Sequence, residues 1–171
     1  MSDHSYHANR VAALSPKGWR TREALLDAAE ELLARGEDLV SGAVAAEAGV
    51  ATGTFYRYFP DKDALLAAAF ARTLDRLIGA VEQALSPERV LDHGVAAVLG
   101  TVVDDVASGY AAAAPVIAAS LARMGGSGVL REVYRDRHVR AVAVLVTFLT
   151  RLRRAGLTAV TDVQATATAA V

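Results

Sequence analysis

The chain of 171 residues contains no cysteine. Disulfide bonds and thiolate metal sites are therefore excluded, and a reducing cytoplasm suits the composition. The N-terminal sequence M-S-D-H-S-Y-H-A-N-R also lacks the apolar segment of a secretory signal. We expect a cytoplasmic protein whose residues 1–14 form a mobile arm.

Long uncharged hydrophobic runs are scarce, although 53% of the residues are hydrophobic. Much of this fraction is alanine, and the best candidate for a membrane span, residues 106–122, contains Ser108, Gly109, Pro115 and Ser120. The composition therefore predicts a soluble chain with no membrane partner.

An excess of positive charge is lacking as well, because the formal net charge is −1. The first 70 residues carry seven basic and ten acidic side chains. The chain therefore has no overall basic footprint for nucleic acid. Any contact with DNA must depend on where individual charges lie.

Strand alternation is absent, and apolar residues recur at helical spacing, so the sequence predicts an all-α fold. Ser15-Pro16 is a typical helix start, and Gly36 ends that helix. Later helices are predicted at about 61–85, 87–109, 115–124 and 129–154, with a last segment capped by Asp162. The predicted domains are 15–60, a three-helix module, and 61–171, a connector helix followed by a helical bundle.

The segment from Val44 to Lys62 has the pattern of two short helices joined by a tight turn. Gly49 stands where the chain reversal requires a positive φ. Phe55 and Phe59 are one helical turn apart, which predicts that both side chains point into the core. The segment is therefore interpreted as a helix-turn-helix that ends at Pro60.

This segment resembles the tetracycline-repressor-like (TetR-type) family of bacterial transcriptional regulators. The similarity lies in A-x-x-A-G-V at 45–50 and G-T-F-Y-R-Y-F-P-D-K at 53–62, with A-L-L-D-A-A-E-E-L-L-A-R-G at 24–36 resembling the family's first helix. The resemblance covers about a quarter of the chain. It implies a nine- or ten-helix homodimer with an N-terminal helix-turn-helix domain and a C-terminal helical bundle for ligand binding and dimerisation.

Such a protein would bind a palindromic operator in double-stranded DNA and release it when a small molecule enters the C-terminal bundle. It would use no cofactor and no metal. The resemblance implies that hydroxyl groups of α-helical Thr and Tyr residues contact phosphates or base edges, that Arg57 reads guanine, and that Lys62 holds a phosphate. The implied DNA-binding residues are Thr52, Gly53, Thr54, Tyr56, Arg57, Tyr58 and Lys62, with Arg20, Thr21 and Arg22 near flanking phosphates.

The sequence departs from the family pattern at the starts of both helices of this unit. Ala51 stands where Ser usually caps the recognition helix, and Val40 stands where Thr usually caps the helix before it. These changes weaken the expectation of a phosphate contact from the earlier helix, while leaving the fold prediction intact.

Alanine-rich helices from Val95 to Ala122 could leave volume for an apolar effector, or they could only permit close helix packing. The candidate pocket residues are side chains of the predicted bundle that could line or border such a volume. They are Val98, Val102, Asp105, Tyr110, Met124, Tyr134, His138 and Phe148.

Two other functions are compatible with the sequence. One is a DNA-binding protein without a small-molecule ligand, whose bundle serves only to dimerise. The other is an all-α enzyme that uses Asp104 or Asp105 with His93 or His138. The sequence offers no nucleophile motif, no glycine-rich phosphate loop and no pair of metal ligands, so the enzyme is disfavoured.

Overall fold

A computed structural model describes residues 14–85 and 87–171. All regular structure in these residues is α-helical, which confirms the predicted fold class. The described residues form eight helices, which are α1 (Pro16–Ala34), α2 (Ser41–Glu47), α3 (Thr52–Tyr58), α4 (Lys62–Ala84), α5 (Pro87–His93), α6 (Val95–Met124), α7 (Gly128–Arg154) and α8 (Val163–Ala169). The predicted arm, residues 1–14, lies outside the described residues except for Leu14.

Contacts divide the chain into two compact units between Ala69 and Phe70, within α4. The sequence prediction placed its domain boundary at Pro60. The first two turns of α4 pack in the first unit because Leu65, Leu66 and Ala69 are completely buried. These turns extend the core of the three preceding helices.

The first unit begins with α1, whose Ser15 hydroxyl accepts a hydrogen bond from the Gly18 amide at 3.2 Å. This is the predicted cap, with Pro16 in the first helical turn. The buried side of α1 is apolar, and Gly36 ends the helix with a φ of 75°. The residues of α1 that form the core are Leu25, Leu26, Ala28, Ala29 and Leu32.

The turn between α2 and α3 follows the prediction. Gly49 has a φ of 66°, a conformation that costs an L-residue about 1–2 kcal/mol. The amide of Val50 donates to the Ala45 carbonyl at 2.9 Å, which closes the turn. Val44 and Ala45 are buried, so α2 is fixed against the core by the face that the sequence indicated.

The second unit has a core cluster of Leu85, Val90, Val98, Phe148 and Leu152. Helix α4 is also tied to α7 by charge. The guanidinium groups of Arg137 and Arg140 lie 3.1 and 3.0 Å from the two Asp75 carboxylate oxygens.

Two predicted helix boundaries in this unit are wrong. A break at Gly94, with a φ of 80°, separates α5 from α6, although one helix was predicted from Pro87 to near Gly109. Helix α6 then continues through Pro115, where a new helix was predicted to start. Proline removes one N–H donor but its fixed φ is compatible with a helix, so the chain can continue when the flanking turns are packed. Val116 and Ile117 provide that packing.

Helix α6 packs closely against Leu77 at Gly109. A Cβ atom added at Gly109 would lie 2.8 Å from Leu77 Cδ2, so no larger residue fits without displacement. In α7, His138 is half-buried while Val139 is 64% exposed, so the helix turns His138 toward the protein and Val139 toward solvent. Asp162 accepts a hydrogen bond from Ala165 at 2.9 Å and caps α8 as predicted.

Helix α6 is long and apolar enough to cross a membrane when only length and composition are considered. Its most apolar 18-residue window has a mean hydropathy of 1.3, and only 6% of that window is buried within this chain. One such helix is weak evidence for a span, and Asp104 and Asp105 in its middle oppose insertion. The prediction of a soluble chain stays a prediction.

Candidate nucleic-acid interface

The inward face of α3 is aromatic. Phe55 is completely buried and Phe59 is 3% exposed, as the sequence predicted for both. Their ring centroids are 6.0 Å apart. Because these two rings fix the rotation of α3 about its axis, they also determine which of its side chains face solvent.

The outward face of α3 carries the predicted DNA-binding residues. Thr52, Gly53, Tyr56 and Arg57 are exposed, Thr54 and Tyr58 are half-buried, and Lys62 is exposed at the start of α4. The structure therefore places all seven within eleven consecutive residues of the first unit, six of them on one helix.

Arg57 lies against its neighbour Tyr58. Its guanidinium carbon is 5.2 Å from the Tyr58 ring centroid, and Nη2 donates to the phenolic oxygen at 3.5 Å. Among the described residues, no carboxylate forms an ion pair with Arg57 or Lys62. Their charges are therefore available to a phosphate or a base, and the stacking limits the positions that the Arg57 side chain adopts.

A hydroxyl pair connects the two helices of the helix-turn-helix. Ser41 Oγ at the start of α2 is 2.8 Å from the Tyr56 phenolic oxygen on α3, and both groups are exposed. The sequence prediction included Tyr56 and missed Ser41. The signal was available, because a hydroxyl follows directly after Val40, the position at which the family pattern has Thr.

Neither short helix of this unit has a side-chain cap. Val40 precedes α2 and Ala51 precedes α3, and neither makes a side-chain hydrogen bond to the first turn. Both departures from the family pattern are therefore real in the structure. At α4, by contrast, the Asp61 carboxylate accepts a hydrogen bond from the Ala64 amide at 2.7 Å.

Gly53 lies near the start of α3 with open space around it, as Gly79 does in α4. Gly53 does not have a positive φ, and a Cβ atom built there would meet no atom of the described residues within 4 Å. Neither the backbone conformation nor packing against the described residues therefore requires glycine at position 53.

The region around Arg22 differs from the sequence interpretation, which placed Arg22 near flanking phosphates. Its side chain is 16% exposed, it pairs with Glu23 at 3.2 Å, and its guanidinium carbon lies 5.4 Å from the Phe59 ring centroid and 5.7 Å from that of Trp19. Arg22 therefore packs within the first unit. Arg20 is exposed, whereas the Thr21 hydroxyl donates to the Lys17 carbonyl at 3.1 Å.

Arg35 forms a cluster with three carboxylates that sequence analysis did not identify. It donates to Glu37 at 2.6 Å and to both Glu47 oxygens at 2.9 and 3.3 Å, and Glu31 lies 3.9 Å away. These hydrogen bonds hold the pKa of the Glu47 carboxyl below its usual value and raise the pKa of the Arg35 guanidinium. Since Glu47 ends α2, the cluster ties α2 to the end of α1.

Replacing Glu47 with Gln tests whether the cluster holds α2 to the end of α1, because the effect of this change on stability should depend on pH. A carboxyl whose folded-state pKa is depressed contributes stability above its unfolded-state pKa, about 4.3, and the contribution is lost as the pH falls through the folded-state value. We expect Glu47→Gln to lower the urea midpoint of the Trp19 fluorescence transition at pH 7, and to lower it less at pH 3. Asp38→Asn is the matched control, with no such difference. An equal shift at both pH values would contradict the assignment.

The predicted pocket residues have different environments in the second unit. Val98 and Phe148 belong to the second core cluster, with Val102 packed against it. The Tyr134 and His138 rings stack, with centroids 5.9 Å apart. Asp105, Tyr110 and Tyr134 are exposed, and Met124 and His138 are half-buried. Of the eight, Phe148 lines a cavity of about 330 Å³ in the second unit.

The residues considered for an enzyme or a metal site are dispersed. Asp104, Asp105 and His93 are exposed. Within residues 14–85 and 87–171, no group of three His, Cys, Asp or Glu side chains lies close enough together to hold a metal ion.

Comparison with known proteins assigns the first unit. Residues 25–69 match the sequence profile described as bacterial regulatory proteins, tetR family. A 58-residue segment is 47% identical to the HTH-type transcriptional repressor KstR of Rhodococcus jostii (strain RHA1), and it covers 33% of this chain and 27% of that repressor. The chain is therefore matched to about a quarter of that relative's length.

Solved structures share the fold over most of the chain. A Mesorhizobium loti protein described as a TetR-family transcriptional regulator aligns with a TM-score of 0.74 at 17% identity, covering 86% of this chain and 75% of that one. A protein from Pseudomonas aeruginosa PAO1, described as a transcriptional regulator, aligns with a TM-score of 0.65 at 22% identity. The alignment covers 94% of this chain and 77% of that one. Thermus thermophilus FadR, a TetR-family repressor in complex with lauroyl-CoA, aligns with a TM-score of 0.57 at 23% identity. The alignment covers 85% of this chain and 75% of that one. At these identities the likeness shows the fold.

Proposed function

Since the chain belongs to the tetR family of bacterial regulatory proteins, we propose that it is a cytoplasmic transcriptional repressor that binds a palindromic operator as a homodimer and responds to a small molecule. The observation that carries this proposal is the exposed face of α3. Arg57 on this face and Lys62 at the start of α4 have no carboxylate partner among the described residues, and the hydroxyl pair of Ser41 and Tyr56 lies in the same helix-turn-helix. These groups are suited to phosphates and base edges in a major groove.

Charge placement explains how a net acidic unit can bind DNA. Glu31, Glu37 and Glu47 gather around Arg35, and they are three of the ten acidic residues in the first 70. The attraction is then supplied locally by α3 and the start of α4. Ser41 extends this surface onto α2, where the family pattern leads one to expect a phosphate contact and where Val40 cannot provide it.

Gly53 is compatible with close approach of DNA to the start of α3, since no described residue requires a glycine there. A DNA backbone lying against the start of α3 would require one, because a Cβ atom would separate the two surfaces. We expect Gly53→Ala to increase stability by about 0.5–1 kcal/mol through helix propensity and to weaken operator binding at the same time.

Gly79→Ala is the matched control, because Gly79 also lies within a helix and has open space around it. It should raise stability similarly without changing DNA affinity. Thermal melting and gel-shift titration give the two measurements. Undiminished operator binding by Gly53→Ala would remove this support.

Dimerisation is supported by the apolar surface of the second unit. On α6, Leu99, Val103, Tyr110 and Leu121 are 44–65% exposed. Burial of such side chains between two copies would stabilise a dimer, and a dimer supplies the two recognition helices that a palindrome with half-sites about 34 Å apart requires. Light scattering at micromolar concentration should give a mass of twice 17.9 kDa, and a monomer would contradict this part of the proposal.

The most direct test of the function is a footprint on the DNA beside the protein's own gene at two salt concentrations. Protection of a palindrome, weakening steeply with salt, supports the proposal. Protection with no release by any small molecule would favour a DNA-binding protein without a ligand. Absence of protection, together with no binding in a genome-wide selection of DNA fragments, would contradict the function.

A further inference from the structure

The cavity of about 330 Å³ in the second unit lies along one side of α7. Its lining from α7 recurs at helical spacing from Arg140 to Arg151, a distance of about 16 Å along the helix axis. Helix α4 contributes Glu82, and Leu85 directly follows the end of this helix. None of the predicted DNA-binding residues lines this cavity.

The middle of the cavity combines apolar side chains with Thr147, whose hydroxyl donates to the Ala143 carbonyl at 2.8 Å. Leu85 and Phe148 are 5% and 6% exposed, and the partly buried Val144 packs against the same cluster. Ala143 lies on the wall between these residues and Arg140. An apolar chain in this position would replace water against hydrocarbon on several sides.

The two ends of the cavity differ in charge. At one end, Arg140 is already paired with Asp75 at 3.0 Å and with Glu82 at 3.6 Å, so its charge is compensated. At the other end, Arg151 makes no side-chain hydrogen bond or ion pair with any described residue. The cavity therefore presents one uncompensated cation beside an apolar wall.

From this arrangement we infer that the cavity binds a linear amphiphile consisting of an apolar acyl chain with an anionic head group. The head group contacts the Arg151 guanidinium, and the chain extends over Phe148 and Val144 toward Ala143. The opposite orientation is disfavoured because Glu82 would repel an anion at the Arg140 end. This inference rests on the proposed function, since the amphiphile would be the effector that releases DNA.

Three ten-carbon probes with the same chain test the head-group charge on the full-length protein. By isothermal titration calorimetry below the micelle concentration, decanoate should bind about five- to tenfold more tightly than decanol, and decylammonium should bind more weakly than either. Equal affinities for the three compounds, or tighter binding of decylammonium, would overturn the inference.

Substitutions locate the site. Arg151→Gln should reduce decanoate affinity about five- to tenfold and leave decanol affinity unchanged, whereas Arg154→Gln, an exposed arginine outside the lining, should change neither. Ala143→Phe should abolish binding of both, with an unchanged circular dichroism spectrum. Ala143 is exposed, so a larger side chain there does not require repacking of the core. Wild-type affinity in both Arg151→Gln and Ala143→Phe would place the ligand elsewhere.

The same chemistry could come from a free carboxylic acid or from an acyl thioester, and decanoyl-CoA distinguishes them. Tighter binding of decanoyl-CoA than decanoate, with the same sensitivity to Arg151→Gln, identifies the thioester as the source, and the reverse order identifies the acid. Operator release is measured separately. Ligand binding without operator release would support the binding site and contradict the proposed effector role. Operator binding without any ligand binding would contradict the binding site and leave the DNA-binding function intact.

Discussion

Replacing Phe55 with Ala should lower the free energy of unfolding of the first unit by about 3–5 kcal/mol. The side chain is completely buried and contacts both Tyr56 and Phe59, with ring centroids 5.2 and 6.0 Å away. A typical domain has a total stability of about 5–15 kcal/mol, so this loss removes a large share of it. Operator binding should be lost at temperatures where the wild-type protein still binds.

Trp19 is the sole tryptophan and lies on α1, so its fluorescence reports the unfolding of the first unit. Urea titration of Phe55→Ala by this signal gives the free energy directly. Tyr110→Ala is the matched control, because Tyr110 is 51% exposed and lies in the second unit. A loss below about 1 kcal/mol for Phe55→Ala would show that α3 is not held by this ring.

Arg57→Ala should weaken operator binding by about 1–3 kcal/mol per half-site, which is roughly 5- to 150-fold. Arg57 is exposed, unpaired with any described carboxylate, and ordered against the Tyr58 ring, so it can make a bidentate contact to guanine. The loss should be largest on the specific operator and small on unrelated DNA. Stability should change little, because no core contact is removed.

Lys62→Ala is the companion that separates base reading from phosphate binding. It should weaken binding to all sequences alike and reduce the salt slope by about one. If Arg57→Ala also weakened all sequences alike, Arg57 would be a phosphate contact and not a base reader. Intact operator binding in both variants would contradict the assignment of the α3 face.

Local rules predicted much of the first unit. The positive φ of Gly49, the burial of Phe55 and Phe59, and the Ser15 cap each depend on residues within a few positions of one another. Six of the seven predicted DNA-binding residues lie on α3, so the helical repeat alone predicts that they lie close together. Their role in binding DNA stays a prediction.

Features that depend on distant residues were not predictable in the same way. The Arg35 cluster needs Glu47, twelve positions away, and the α4–α7 ion pairs join residues more than 60 positions apart. Pro115 was expected to start a helix, whereas packing of Val116 and Ile117 keeps α6 continuous. The cavity is likewise formed by segments that are far apart in sequence, and Phe148 is the one of its lining residues that the sequence pattern indicates.

The absence of side-chain caps on α2 and α3 has a consequence for the dynamics of the first unit. Each helix has seven residues, far below the length at which an isolated helix is stable in water. Their backbone amides are therefore protected from hydrogen exchange only while the shared core around Phe55 and Val44 stays closed. The recognition helix accordingly opens and closes together with the unit's core and cannot exist as an independently ordered segment.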